Sequence, residues 1–195
     1  MMRERLRRVS EPLQFTLENM AFTRKLVNGT LRPQEYVNYL HDMKLLYETM
    51  ENHKYFKDLH WGIEMAKRCE DDMQRMEYLY GIKREYPRPV IKGLVNYLKD
   101  LGFTQYSAHC FVRYTADLNG GHVIKRALNK HHPKWPTTLY DIKDGRQDIM
   151  DDFINLRVQH HELFLAEIAI SYKWYQPLLR MEEDDESDDE DYFYR

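Results

Sequence analysis

The sequence predicts an all-α, single-domain helical bundle, on three observations. Apolar residues recur at three- and four-residue spacing along most of the chain. No segment shows the strict apolar–polar alternation of a half-buried strand. Glycines and prolines fall at intervals that cut the periodic stretches into helix-sized pieces. A chain of 195 residues, 43% hydrophobic and 13% aromatic, can fill one substantial core.

Leu6, Val9, Leu13 and Leu17 mark the first helix. Pro12 lacks an amide donor and is tolerated best in a first turn, so the spacing predicts an ordered start at Ser10. Asn28-Gly29 ends this segment. Arg32-Pro33-Gln34-Glu35 opens a second helix, with Tyr36, Tyr39, Leu40, Met43, Leu46, Tyr47 and Met50 on its apolar side. Residues 59–80 read as a third helical stretch, with Leu59, Ile63, Met73, Met76 and Leu79 as core candidates and Gly81 as its stop. Tyr86-Pro87-Arg88-Pro89 is a rigid connector, followed by a short amphipathic helix from Val90 to Leu101, stopped by Gly102. A helix from Thr104 to about Lys130 comes next, then the loop His131-His132-Pro133-Lys134-Trp135-Pro136. The last helix is expected from about Asp144 to Tyr175, with Phe153, Leu156, Leu163, Phe164, Ile168 and Tyr172 facing inward and Pro177 terminating it.

Charge is distributed unevenly. Nine of the ten residues from Glu182 to Asp191 are acidic. With those nine set aside, 23 of the 32 acidic side chains remain against 29 basic ones. The body is thus mildly basic. A block of like charges repels itself and stays solvated, so residues 182–195 are expected to form a disordered acidic tail beyond a domain of residues 1–181. Ser187 sits in a context that resembles an acid-directed kinase site, although a solubilising tail with an incidental serine is the simpler reading. The basic excess is too diffuse for a nucleic-acid surface. No apolar run is long enough to span a membrane, and Met-Met-Arg-Glu-Arg-Leu-Arg-Arg lacks the apolar stretch of a secretory signal. Only Cys69 and Cys110 occur, which sets no disulfide framework and no metal-binding spacing. A cytoplasmic location is the expectation.

One stretch stands apart. Arg113-Tyr114-Thr115-Ala116-Asp117-Leu118-Asn119-Gly120-Gly121-His122 reads as helix yet holds two adjacent glycines. A glycine in a helix interior costs about 1 kcal/mol relative to alanine. The pair is accounted for if a flat ligand or a bend brings something close to the backbone. A tight helix–helix crossing or a helix end accounts for it equally well.

Residues 6–176 resemble heme oxygenase from end to end. Leu6 to Asn19, closing on Glu18-Asn19, is similar to the family's first, proximal helix. Tyr47 to Glu51, Tyr55-Phe56 through Leu59-His60, and Tyr78-Leu79-Tyr80-Gly81 follow in family order. Ala108-His109-Cys110-Phe111-Val112-Arg113-Tyr114 leads into Asp117-Leu118-Asn119-Gly120-Gly121, which resembles the distal-helix signature. The resemblance implies a kinked distal helix over a heme face, with Gly120 and Gly121 at the porphyrin. It also implies cleavage of heme with O₂ and reducing equivalents to biliverdin, carbon monoxide and Fe²⁺. Asp117, beside Arg113, would order a water network that delivers protons at the distal face.

Set against that family, several positions differ. Anchored on Glu18-Asn19, the position of the axial histidine is Gln14, and no histidine precedes His41. An amide oxygen is a far weaker donor to heme iron than imidazole. Arg7 keeps one charge expected to clamp the heme propionates, but Glu11 stands one turn later. Anchoring on Arg157 puts Asp151 and Asn155 where basic residues are expected, with Arg146 and Lys143 as substitutes if the loop shifts. Phe111 replaces a tyrosine of the distal network, and Ala116 replaces a glycine. His122 is a remote alternative ligand. His109, His160 and His161 read as core-polar or surface residues.

These readings imply a heme-oxygenase-like protein impaired or inactive in heme cleavage, serving as a heme-pocket or protein-binding module. The alternative is an active heme oxygenase with a non-standard axial ligand. Weak binding of heme is the cofactor expectation, with a reductase as partner if the chain is active. An unidentified protein partner for the acidic tail is the other expectation, and neither nucleic acid nor membrane is expected. A di-iron relative would need Glu-x-x-His pairs on facing helices, which the sequence lacks. A thiaminase-like relative would need Cys110 as nucleophile, where a buried structural cysteine is the simpler reading.

Overall fold

The computed structural model describes residues 2–59, 63–141 and 160–180. Among these, every long element is a helix: α1 (Met2–Glu18), α2 (Ala21–Asn28), α3 (Pro33–Glu51), α4 (Met65–Tyr80), α5 (Pro89–Lys99), α6 (Phe103–His131) and α7 (His161–Leu179). Short 3₁₀ turns at Phe56–Leu59 and Thr138–Tyr140 complete the path. The expectations for Asp151, Phe153, Asn155, Leu156, Arg157, Arg146, Lys143 and the acidic tail lie outside the described residues.

The core is built around α3. It packs on α4 and α5, while α6 packs on α7 and α2, and α1 lies along α7. All seven apolar residues expected from α3 are buried, Tyr36, Leu40, Leu46, Tyr47 and Met50 completely. Its start is fixed as the Arg32-Pro33 sequence suggests. Pro33 occupies the first turn, and the Glu35 carboxylate accepts a hydrogen bond from the Arg32 amide at 2.6 Å. The N-terminus of α4 is satisfied from outside its own sequence. Met65 and Ala66 donate their amides to Glu51 Oε1 at 2.6 and 3.1 Å.

Two prolines behave differently from expectation. The helix α1 starts at Met2 and runs through Pro12, and α7 runs through Pro177 to Leu179. Both prolines are on solvent-facing sides, as are Arg8 and Lys173, whose carbonyls lose a helical partner and can be hydrated. Fully buried Leu178 holds the last turn of α7 in place. The first segment is also divided where the sequence suggested continuity. The chain breaks at Asn19-Met20, with Thr23 Oγ1 bonding to Leu17 O at 2.9 Å across the break.

The residues 59–80 do not form one helix, since α4 begins only at Met65. Leu79 is 40% exposed and Leu163 is 42% exposed, so neither belongs to the core. Buried Leu165, Tyr175 and Leu178 take that role on α7 instead. Gly29 does end α2, for two reasons. Its φ of 73° is left-handed, and a Cβ there would lie 2.3 Å from the His131 side chain.

Candidate functional site

A cavity of about 130 Å³ lies between α1 and α6, closed by α2, Tyr39 of α3 and the end of α7. The amphipathic pattern of α1 turns Gln14, Leu17 and Glu18 toward it. Val112, Arg113, Ala116, Asp117, Gly120 and Ile124 recur at helical spacing on the facing side of α6. Leu26, Tyr172, Tyr175 and Leu179 complete an apolar wall.

The α6 wall is organised by one ion pair. Arg113 donates to both oxygens of Asp117 one turn away, with Nε to Oδ2 at 3.1 Å. The same Nε reaches the Tyr47 hydroxyl at 2.9 Å. Asp117 is 4% exposed. Burial drives its carboxyl well above the usual carboxylate range. The fork of two guanidinium hydrogen bonds opposes that push. Together they form a compact hydrogen-bonded unit at the cavity wall.

The α1 wall is different. Gln14 is exposed, and its amide nitrogen donates to Glu18 Oε1 at 2.7 Å. Gln14 and Glu18 thus present oxygen and amide groups to the cavity. No histidine is among the described residues that line it.

The structure therefore gathers Gln14, Arg113, Ala116, Asp117 and Gly120 around one space, and leaves four other sequence candidates outside it. Arg7 is exposed and pairs with Glu11 at 2.5 Å. Phe111 packs edge-on to Phe164 at 6.1 Å between ring centres. His122 is exposed on α6. Gly121 faces Tyr140, whose Cδ1 would lie 3.2 Å from an added Cβ. Both glycines sit inside a continuous helix, and they face different neighbours. Tyr140 is held there because Asp72 accepts hydrogen bonds from the Thr138 and Leu139 amides at 3.0 and 2.9 Å.

Comparisons with known proteins then place the chain. The family model for heme oxygenase matches residues 1–171. The chain belongs to the heme oxygenase family. A heme oxygenase of Rhodella violacea is 25% identical over 175 residues, covering 78% of this chain and 71% of the relative. The heme oxygenase of Leptospira interrogans has the same fold, with a TM-score of 0.76 and 20% identity over 91% of this chain and 98% of that one. Heme oxygenase-2 of Synechocystis, solved with heme and NO, aligns with a TM-score of 0.74 at 18% identity, over 91% of this chain and 83% of that one.

Heme is the group this family implies. The leucines, Val112 and Ile124 of the cavity suit a flat apolar macrocycle. Two features of the cavity in this heme oxygenase family member do not suit a porphyrin held by a strong axial donor. The cavity is smaller than the roughly 300–1,000 Å³ usual for ligand pockets, so α1 and α6 must part to admit a porphyrin. Its α1 wall presents Gln14 and Glu18 rather than imidazole or thiolate, the usual axial donors. Among the described residues no group of three metal-ligating side chains occurs elsewhere either. No described helix is long and apolar enough to cross a membrane.

Sequence reasoning missed Tyr39, Thr23, Tyr175 and Leu179 as cavity residues. Tyr39 carried only a core signal, and the others come from elements whose approach to α6 is purely tertiary. It also missed the His109–Glu167 pair, buried on both sides at 2.9 Å and joined by Tyr97 and Gln105. Cys110, which burial pushes up to about 12, has no thiolate character near neutral pH.

Proposed function

We propose that this heme oxygenase family member is impaired or inactive in heme cleavage and uses the α1–α6 cavity as a binding module for heme or a protein partner. The observation that carries the reading is Gln14, the α1 side chain at the cavity, engaged with Glu18. By family resemblance, Gln14 stands where an axial histidine is expected. Gly120, where an added Cβ meets nothing within 4 Å, leaves room at the facing wall. A bend of α6 at this glycine pair would widen that room for a porphyrin.

In this reading Asp117 and Arg113 orient polar groups of a bound molecule, the apolar wall excludes water, and Gln14 contributes an oxygen or amide contact. Arg7, tied to Glu11, offers at most a peripheral contact to an anionic edge. A second reading keeps the family's activity with a non-standard axial donor. It is favoured by the intact buried Arg113–Asp117 pair, which suits proton delivery.

Hemin titration followed by visible spectroscopy separates the two. The proposal expects a weak, broad Soret change and no biliverdin with a reductase. Gln14→His is expected to raise hemin affinity and sharpen the band. Stoichiometric biliverdin from the unmodified chain would overturn the proposal in favour of the second reading.

A further inference from the structure

The α1–α6 cavity has a size and a charge pattern that point to a guest smaller than a porphyrin. At about 130 Å³ it is close to the roughly 150 Å³ of an apolar cavity that holds one benzene ring. Leu26 and Val112 are each 2% exposed and form an apolar floor with Ile124. Gln14 and Glu18 are exposed and form the rim. Three buried tyrosines, Tyr39, Tyr172 and Tyr175, add aromatic wall.

The charges on these walls do not balance. Arg113 is answered by Asp117 one turn along α6. Glu18 accepts the neutral Gln14 amide at 2.7 Å and forms no ion pair among the described residues. Its charge reaches the Tyr172 hydroxyl across the cavity's α7 side. The cavity therefore carries one carboxylate that no cation answers, placed where the apolar floor meets solvent.

We infer that the cavity, without parting its walls, binds a small protonated amine bearing a single aromatic ring, with the ring on the floor and the ammonium at Glu18. The inference rests on the reading of the cavity as a binding module and names a ligand class for it. Ligand pockets of this kind use an apolar lining for affinity and a few placed polar groups for orientation. A six-membered ring matches the volume. The ammonium meets the Glu18 carboxylate and the Gln14 carbonyl oxygen, and the faces of tyrosine rings attract cations as well. A carboxylate of the same shape meets repulsion at that rim. A porphyrin needs α1 and α6 to separate, and a single ring does not.

The test uses the full chain without heme, ¹³C-labelled at isoleucine, leucine and valine methyls, titrated separately with benzylamine, benzyl alcohol and benzoate. Benzylamine is expected to saturate with a Kd on the order of 1 mM and to shift the Leu26, Val112 and Ile124 methyl signals. Benzoate should bind about fivefold more weakly, and Glu18→Gln should weaken benzylamine about threefold, since an exposed charge pair contributes modestly. That loss should be confined to the charged ligand, with benzyl alcohol as the neutral control. Benzoate binding as tightly as benzylamine, a Glu18→Gln chain that binds benzylamine unchanged, or no saturable shift of those methyls would overturn the inference. Hemin titration of the same sample separates the two levels. Hemin bound without any response to benzylamine removes the ligand class and keeps the binding module, whereas failure of both removes both.

Discussion

The two walls of the α1–α6 cavity are built on opposite principles. On α6, buried Asp117 is paired with partly buried Arg113, with Tyr47 behind them, and Tyr106 donates to the Met50 carbonyl at 2.8 Å one face further round. On α1, Gln14 and Glu18 are exposed, Phe15 is 68% exposed, and the ion pairs Arg7–Glu11 and Arg8–Glu4 lie on the surface. Among the residues of α1 whose burial is described, only Leu6 is fully in the core, and α1 rests chiefly on α7. The contrast teaches that one wall is a preorganised polar unit and the other is an exposed, lightly buried one. A cavity of this size can admit a larger guest only if the weakly held side yields.

The largest expected effect breaks the rigid wall. Asp117→Ala strands the Arg113 guanidinium in a buried setting and should destabilise the fold by about 3–5 kcal/mol, measured by urea unfolding. A loss below about 1 kcal/mol would show that the pair is solvated. Next comes the anchor of α6 on α7. Burial pushes the Glu167 carboxyl up, but hydrogen bonds from His109, Tyr97 and Gln105 outweigh it and hold the carboxyl below its usual value. A depressed carboxylate stabilises the fold above its unfolded pKa of about 4.3 and loses that contribution as pH falls through the folded value. Glu167→Gln should thus cost about 1.5–3 kcal/mol at pH 7. Between pH 5 and 3 the variant should lose stability less steeply than the unmodified protein.

The glycine pair sharpens the comparison at smaller scale. Gly120→Ala meets nothing within 4 Å and should stabilise α6 by about 0.5–1 kcal/mol. Gly121→Ala crowds Tyr140, which Asp72 keeps in place, and should lose that gain or turn it into a deficit. Equal thermal shifts for the two variants would contradict the asymmetry. The smallest effect belongs to the loose wall, where Arg7→Ala should change stability by less than about 0.5 kcal/mol.

Much of the fold was legible locally. The apolar side of α3, the glycine stops at Gly29 and Gly81, and the span of α6 all follow from spacing and backbone conformation. The two prolines were misread because helix breaking depends on whether the orphaned carbonyl is buried, which spacing does not reveal. At the candidate site, Asp117 and Arg113 were singled out by family resemblance, and their i, i+4 ion pair became visible only in the structure. The separate fates of Gly120 and Gly121 were not, since only the path of residues 138–140 puts Tyr140 against the second glycine.

The amino-acid order by itself determined the helices, the family likeness, the glutamine at position 14 and the acidic run after Arg180. The tertiary structure decided which of those residues meet: it put Gln14 opposite Asp117 and Tyr140 over Gly121. Periodicity sets which face of a helix is buried, but the neighbour covering that face is chosen by long-range packing among distant segments.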